Sequence, residues 1–236
     1  MSFETLLKLI PEYLDQLLKL ISGAKPFFSD IDLAATSSRK TALIFFFNTV
    51  FLAFALKVPF VGEAESYWQT AMSTVVLCTF ATVIFSLTAF ICCKVMGGIA
   101  PLLSHVTIMC YFSAMSVLIY SIFSGVAKGI VKSNLPDEYE NYLEYVNLLI
   151  AGSREIEVAK YLAIANSNTT YTSLLVLIVG ISLILLWLIV IWRVLATTNM
   201  LNSVRGLAAL FLFLIVGYGA SYAVGLLQAA VGLKQF

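Results

Sequence analysis

The chain has 236 residues, of which 61% are hydrophobic and 11% charged, with a mean hydropathy of +0.96. That composition excludes an ordinary water-soluble domain. The formal charge of +1 leaves no broad basic face for nucleic acid or for strong attraction to anionic lipid.

Taken in chain order, the leader comes first. Glu4, Glu12 and Asp15 interrupt any apolar h-region, so residues 1–40 do not read as a cleaved signal peptide. Phe3, Leu6, Leu7, Ile10, Leu14, Leu17, Leu18 and Ile21 recur at three- and four-residue steps and predict an amphipathic helix, with Ser22-Gly23 as its stop. Pro11 either kinks this helix or opens its second half. The apolar stripe suits a helix lying in the plane of the membrane surface, or one packed on the bundle or on another copy. Residues 25–40 are a connector ending in Arg39-Lys40.

Five stretches without a charged side chain follow, at residues 41–56, 66–93, 95–127, 161–192 and 206–233. A bilayer core of about 30 Å needs roughly 20 apolar residues at 1.5 Å rise, so these runs predict spans. The first run covers only about 24 Å, so its helix is expected to pass Lys57, whose ammonium snorkels toward head groups. Pro59 and Gly62 favour a turn, and residues 94–101, with two glycines and a proline, make a tight helix hairpin. The long loop from 128 to 170 carries eight charged groups between Asp137 and Lys160. Tyr139, Tyr142, Leu143, Val146, Leu149 and Ile150 predict a short amphipathic helix within it, and another turn or two is expected over 154–165.

The fold expected is therefore all-α: an integral membrane bundle of five transmembrane helices with an N-terminal amphipathic helix. Residues 1–40 form the leader and 41–233 the membrane domain, with spans at about 41–61, 68–93, 101–127, 171–193 and 206–231. The face holding the amino terminus collects Lys8, Lys19, Lys25, Arg39, Lys40, Lys94, Arg193 and Arg205, against six cations on the other. The positive-inside rule then places the amino terminus in the cytoplasm, and the carboxyl terminus and the loop 128–170 outside or in a lumen.

Two stretches resemble the Yip-domain (Ypt-interacting protein) family of five-span membrane proteins. Residues 96–115, MGGIAPLLSHVTIMCYFSAM, look like its segment in which a Gly-Gly turn precedes a helix with a tyrosine-small-small pattern. Residues 186–210, LWLIVIWRVLATTNMLNSVRGLAAL, resemble its fourth span, basic connection and the start of its fifth span. In broad topology the similarity covers about residues 25–232. Met115 stands where the family pattern has proline, and Asp30-Ile31-Asp32-Leu33 is only an echo of the eukaryotic Asp-Leu-Tyr-Gly-Pro signature. The resemblance thus points to a prokaryotic member in the cytoplasmic (inner) membrane, the alternative being a Golgi or ER membrane.

Chemistry-bearing residues are sparse. His105 is the sole histidine, which leaves no ligand set for zinc or haem, and no cofactor is expected. Cys78, Cys92, Cys93 and Cys110 lie in predicted spans as free thiols. No nucleophile elbow, P-loop or dinucleotide fingerprint occurs, so the chain reads as non-enzymatic. His105, Asn48 and Ser113 are a candidate intramembrane polar site. Arg193, Arg205 and Lys94 are candidate contacts for a cytoplasmic partner or lipid phosphates. Gly217, Ser221, Gly225 and Ala229 form a small-residue stripe for helix packing, within the bundle or between copies in a homo-oligomer. The resemblance implies a scaffold or adaptor that binds other membrane or cytoplasmic proteins. The alternative is a small permease or the membrane subunit of a lipid or solute transporter. The partners expected are membrane lipids and other membrane-protein subunits.

Overall fold

Helices account for the regular structure of the computed structural model, which describes residues 3–60, 67–150 and 167–231. Side chains are described for 11–59, 67–68, 71–144 and 167–219. The helices are α1 (Phe3–Ser22), α2 (Ala24–Ser29), α3 (Thr36–Lys57), α4 (Tyr67–Val95), α5 (Leu102–Asn134), α6 (Tyr139–Ile150), α7 (Asn168–Thr198) and α8 (Ser203–Val231). Short 3-10 turns at Val58–Phe60 and Pro136–Glu138 follow α3 and α5. Among the described residues there is no strand.

Four helices are long and apolar enough to cross a membrane: Thr36–Lys57, Ala71–Val95, Leu102–Asn134 and Asn168–Thr198. This is the character of an integral membrane protein. α8 is 29 residues long, and its stretch Ser203–Gly219 is apolar.

Three contacts fix the direction of the long helices. The Thr107 hydroxyl near the start of α5 lies 3.3 Å from the Leu33 carbonyl just before α3. Ile99 N–H between α4 and α5 meets the Asn199 carbonyl between α7 and α8 at 3.4 Å. Lys132 Nζ, near the end of α5, donates to the Pro59 carbonyl after α3 at 3.3 Å. One end of the bundle therefore gathers the start of α3 and both short connections, and the long helices alternate in direction.

α5 is the central helix, packed most closely on α3 and α7, while α4 lies against α5 and α8. The core has an aromatic heart: Tyr111 of α5 meets Phe27, Phe28 and Phe45 with ring centroids 5.0 to 5.6 Å apart. Such pairs add about 0.5–1.5 kcal/mol each beyond their buried area. α5 and α7 approach so closely that a Cβ on Gly180 would lie 2.7 Å from Phe123 Cβ.

Several expected boundaries move. Helix α3 covers Thr36–Lys57 and is followed by the turn Val58–Phe60, where the first span is expected at about 41–61, and Arg39 Nη2 donates to Thr36 Oγ1 at 2.9 Å within its first turn. α5 runs to Asn134, so the loop expected from 128 begins inside a helix. Charge ends an apolar run but not a helix, because Lys128 and Lys132 carry long stems that let the helix continue into polar surroundings. For the same reason α7 extends through Arg193 to Thr198, and its start at Asn168 is capped by the Ser167 hydroxyl accepting from Thr170 N–H. The 25–40 connector contains α2, whose Phe27 and Phe28 are buried in the core. α1 continues through Pro11. The helical turns expected over 154–165 lie outside the described residues.

Candidate functional site

The two short connections at the start-of-α3 end are built alike. After α4, Gly98 N–H reaches back to the Cys93 carbonyl at 2.7 Å and Gly97 N–H to the Lys94 carbonyl at 3.0 Å. After α7, Leu201 N–H bonds the Ala196 carbonyl at 2.9 Å and Met200 N–H the Thr197 carbonyl at 3.0 Å. Both are Schellman closures, which need a left-handed residue just past the helix end. Gly97 supplies it with φ 88°, whereas the second connection uses Met200 with φ 53°. α8 then starts with Arg205 N–H bonded to Asn202 Oδ1 at 2.9 Å, and Trp192 Nε1 donates to the Gly206 carbonyl at 2.7 Å, tying α7 to α8.

His105 locks one connection to the other. Its Nδ1 lies 3.1 Å from the Pro101 carbonyl, which can only accept, so Nδ1 carries the proton. Nε2 is then the acceptor for Asn199 Nδ2, 3.1 Å away, and the second hydrogen of that amide goes to the Leu195 carbonyl at 2.8 Å. Turning the amide over would set an oxygen against the Leu195 carbonyl, so the partners fix its orientation. His105 and Asn199 are both fully buried. Asn199 Oδ1 has no hydrogen-bond partner and rests against Gly98, where a Cβ would come within 2.5 Å of it. The Phe90 ring meets the imidazole edge-on at 5.4 Å, and Lys94 Nζ sits 5.7 Å from the Phe90 centroid.

Around this lock the surface is exposed and both basic and apolar. Lys94, Arg193 and Arg205 are exposed, and a Cβ on Gly97 would lie 3.6 Å from Arg205 Nη1, so the guanidinium reaches across the first connection. Met200 is 79% and Val204 77% exposed, with Val95, Ile99 and Leu207 also open.

The sequence candidates thus divide. Lys94, His105 and Arg205 belong to one end of the bundle. Asn48 lines a groove between α3 and α1, and Ser113 lies eight residues beyond His105, about 12 Å along α5. In that groove region Tyr13 shares a 3.1 Å hydrogen bond with Thr49, and burial raises the Tyr13 pKa, the Thr49 bond opposing the rise. Gly217 is buried, where a Cβ would meet Phe85 at 3.9 Å, so this part of the small-residue stripe packs within the bundle. The side chains of Ser221 and Ala229 and the surroundings of Gly225 lie outside the described set. Sequence reasoning missed Asn199, the partner that gives His105 its role. The available signal was an amide residue in the Thr-Thr-Asn-Met end of a helix, a position that favours backbone capping.

Among the described residues no three His, Cys, Asp or Glu side chains converge to hold a metal, and the four cysteines are free. Both ring nitrogens of His105 are occupied, one by the Pro101 carbonyl and the other by the Asn199 amide, so the arrangement fastens two turns together. Comparison of the chain with known protein families, with curated proteins and with solved structures finds no match.

Proposed function

We propose that the chain is a non-enzymatic membrane scaffold of five spans, α8 being the fifth, whose cytoplasmic contact surface is the joined pair of short connections. In this reading the amino terminus faces the cytoplasm, as the cations Arg39, Lys40, Lys94, Arg193 and Arg205 at that end favour. α1 is its interfacial helix, with Leu14, Leu18 and Ile21 open to lipid and Leu20 packed inward. The Yip-family resemblance is part of the proposal, as is a prokaryotic inner membrane as its location.

One observation carries the reading. Met200 holds a left-handed conformation that costs a non-glycine residue roughly 1–2 kcal/mol, yet its side chain is 79% exposed and buries little within the chain. Backbone strain retained under an exposed apolar side chain, in a turn joined to the one that Arg205 reaches across, fits a surface shaped for another molecule. The permease alternative rests on Asn48, His105 and Ser113, of which Asn48 lines the groove between α1 and α3 and Ser113 lies about 12 Å along α5 from His105.

The test is copurification in mild detergent. A defined partner is expected with the native chain, and lost with Met200→Ser combined with Arg205→Glu at unchanged thermal stability. An identical partner set for that variant would refute the surface. Topology is tested by Met200→Cys and Asp137→Cys on a cysteine-free background, which impermeant reagents should label from opposite sides. Labelling from the same side would refute the orientation.

A further inference from the structure

Helix α1 is docked at a depth that its charges do not suit. Tyr13 shares a 3.1 Å hydrogen bond with Thr49 and its ring centroid lies 5.3 Å from that of Phe45, so α1 lies against α3. Thr49 is nine residues past Lys40 and eight before Lys57, about 14 and 12 Å along α3, the middle of a helix long and apolar enough to span. Glu12 and Asp15 are within about 3 Å of Tyr13 along α1. Both are exposed, as is Lys19, which pairs with Asp15 at 2.6 Å. A charged side chain facing hydrocarbon near the bilayer centre is strongly disfavoured.

The same helix is shaped for another place. Around its axis Tyr13, Leu14, Leu17, Leu18 and Ile21 fall within an arc of about 140°, and Glu12, Asp15 and Lys19 within about 60° on the opposite side. Docking on α3 uses only one flank of the apolar arc: Tyr13 and Leu17 pack inward, while Leu14, Leu18 and Ile21 are 47%, 66% and 65% exposed. A position in the head-group layer buries the whole arc, sets the three charges in water and gives the Tyr13 phenol the boundary site that tyrosine favours. Leaving the dock orphans little. The Thr49 hydroxyl already donates to the Phe45 carbonyl at 2.8 Å, and Gln16 Oε1, buried without a hydrogen-bond partner in the dock, gains water. Gly23 alone separates α1 from α2, whose Phe27 and Phe28 are held against Tyr111, so the pivot falls at Gly23.

We infer that α1 is a strap worked by the lipid surface: outside a bilayer it covers the face of α3 at Phe45 and Thr49, and in a bilayer it swings about Gly23 into the head-group layer and uncovers that face. Glu4, Glu12 and Asp15 nearly cancel Lys8 and Lys19, so the strap recognises the boundary between water and hydrocarbon and not anionic lipid. The swing requires α3 to span the membrane and is independent of the contact surface formed by the short connections.

Nitroxides on Leu14→Cys and Phe51→Cys, both at exposed positions, in a full-length chain otherwise free of cysteine, report the swing by pulsed electron–electron double resonance. Leu14 is nine residues, about 14 Å, from Gly23, so the label separation is expected to lengthen by on the order of 10 Å between micelles and phosphatidylcholine nanodiscs. Replacing about a third of the lipid by phosphatidylglycerol should give the same distance. Glu12→Leu, Asp15→Leu and Lys19→Leu combined remove the charges that hydrocarbon rejects, and should keep the short distance in nanodiscs. A short distance in nanodiscs with the native charges in place overturns the inference. Dipolar coupling between singly labelled Leu14→Cys chains in that state would mean that a second copy covers the charged face instead. A long distance already present in micelles, a change that needs the anionic lipid, or a triple variant that lengthens as much as the native chain overturns it as well.

Discussion

His105 Nε2 accepts a hydrogen bond from Asn199 Nδ2 across 3.1 Å, joining residues 94 positions apart and fastening the α4–α5 turn to the α7–α8 turn. Replacing Asn199 by Leu leaves Nε2 buried without a donor, whereas the Leu195 carbonyl still accepts the backbone N–H of residue 199, so the expected cost is about 1–2 kcal/mol. In a double-mutant cycle with His105→Leu the coupling is expected to be about 1 kcal/mol, read from reversible unfolding in mixed micelles. Strictly additive losses would mean the two side chains act separately.

Gly98 is the second point of contact between these turns. A Cβ there would stand 2.5 Å from Asn199 Oδ1 and 2.8 Å from the Cys93 carbonyl, and the carbonyl belongs to the helix backbone and cannot swing away. Gly98→Ala is therefore expected to cost about 1–3 kcal/mol, whereas Gly217→Ala, with Phe85 at 3.9 Å, should be nearly neutral. Comparable melting temperatures for the two variants would show that the turns separate freely.

How much of this was legible in the sequence differs by level. The charge-free runs located the long helices because lipid forbids unpaired backbone and leaves helices as the economical solution. They misplaced helix ends at Lys128 and Arg193, since a flexible cationic stem separates where a charge sits from where its backbone lies. His105 stood out by being ionisable in an apolar run, but Asn199 did not, because its role depends on a partner 94 positions away in the chain. The burial of Phe27 and Phe28 was equally hidden: a six-residue helix has too few turns to declare a period.

Met200 offers a prediction of opposite sign. Glycine relieves the left-handed strain at φ 53°, and because Met200 is mostly exposed little packing is lost. Met200→Gly is expected to raise stability by about 0.5–1 kcal/mol, seen as a higher unfolding midpoint. If the scaffold surface is used, the same variant should bind its partner less well, so stability and association move apart. A destabilised Met200→Gly protein would show that the methionine packs within the chain.

The two sides of α1 should respond differently to the same charge. Leu17 packs against the buried core, while Leu14 is 47% exposed one turn away on the side of Leu18 and Ile21. Leu17→Glu forces a carboxylate toward the buried core and is expected to destabilise the protein by about 2–4 kcal/mol. Leu14→Glu keeps the α1 to α3 packing, so its unfolding midpoint should stay within about 0.5 kcal/mol of the native chain. Because lipid penalises a carboxylate where detergent and water do not, Leu14→Glu should instead loosen α1 in bilayers, measured as faster amide exchange over residues 11–22 in nanodiscs than in micelles. Equal exchange in both media would place Leu14 in water and remove α1 from the membrane interface.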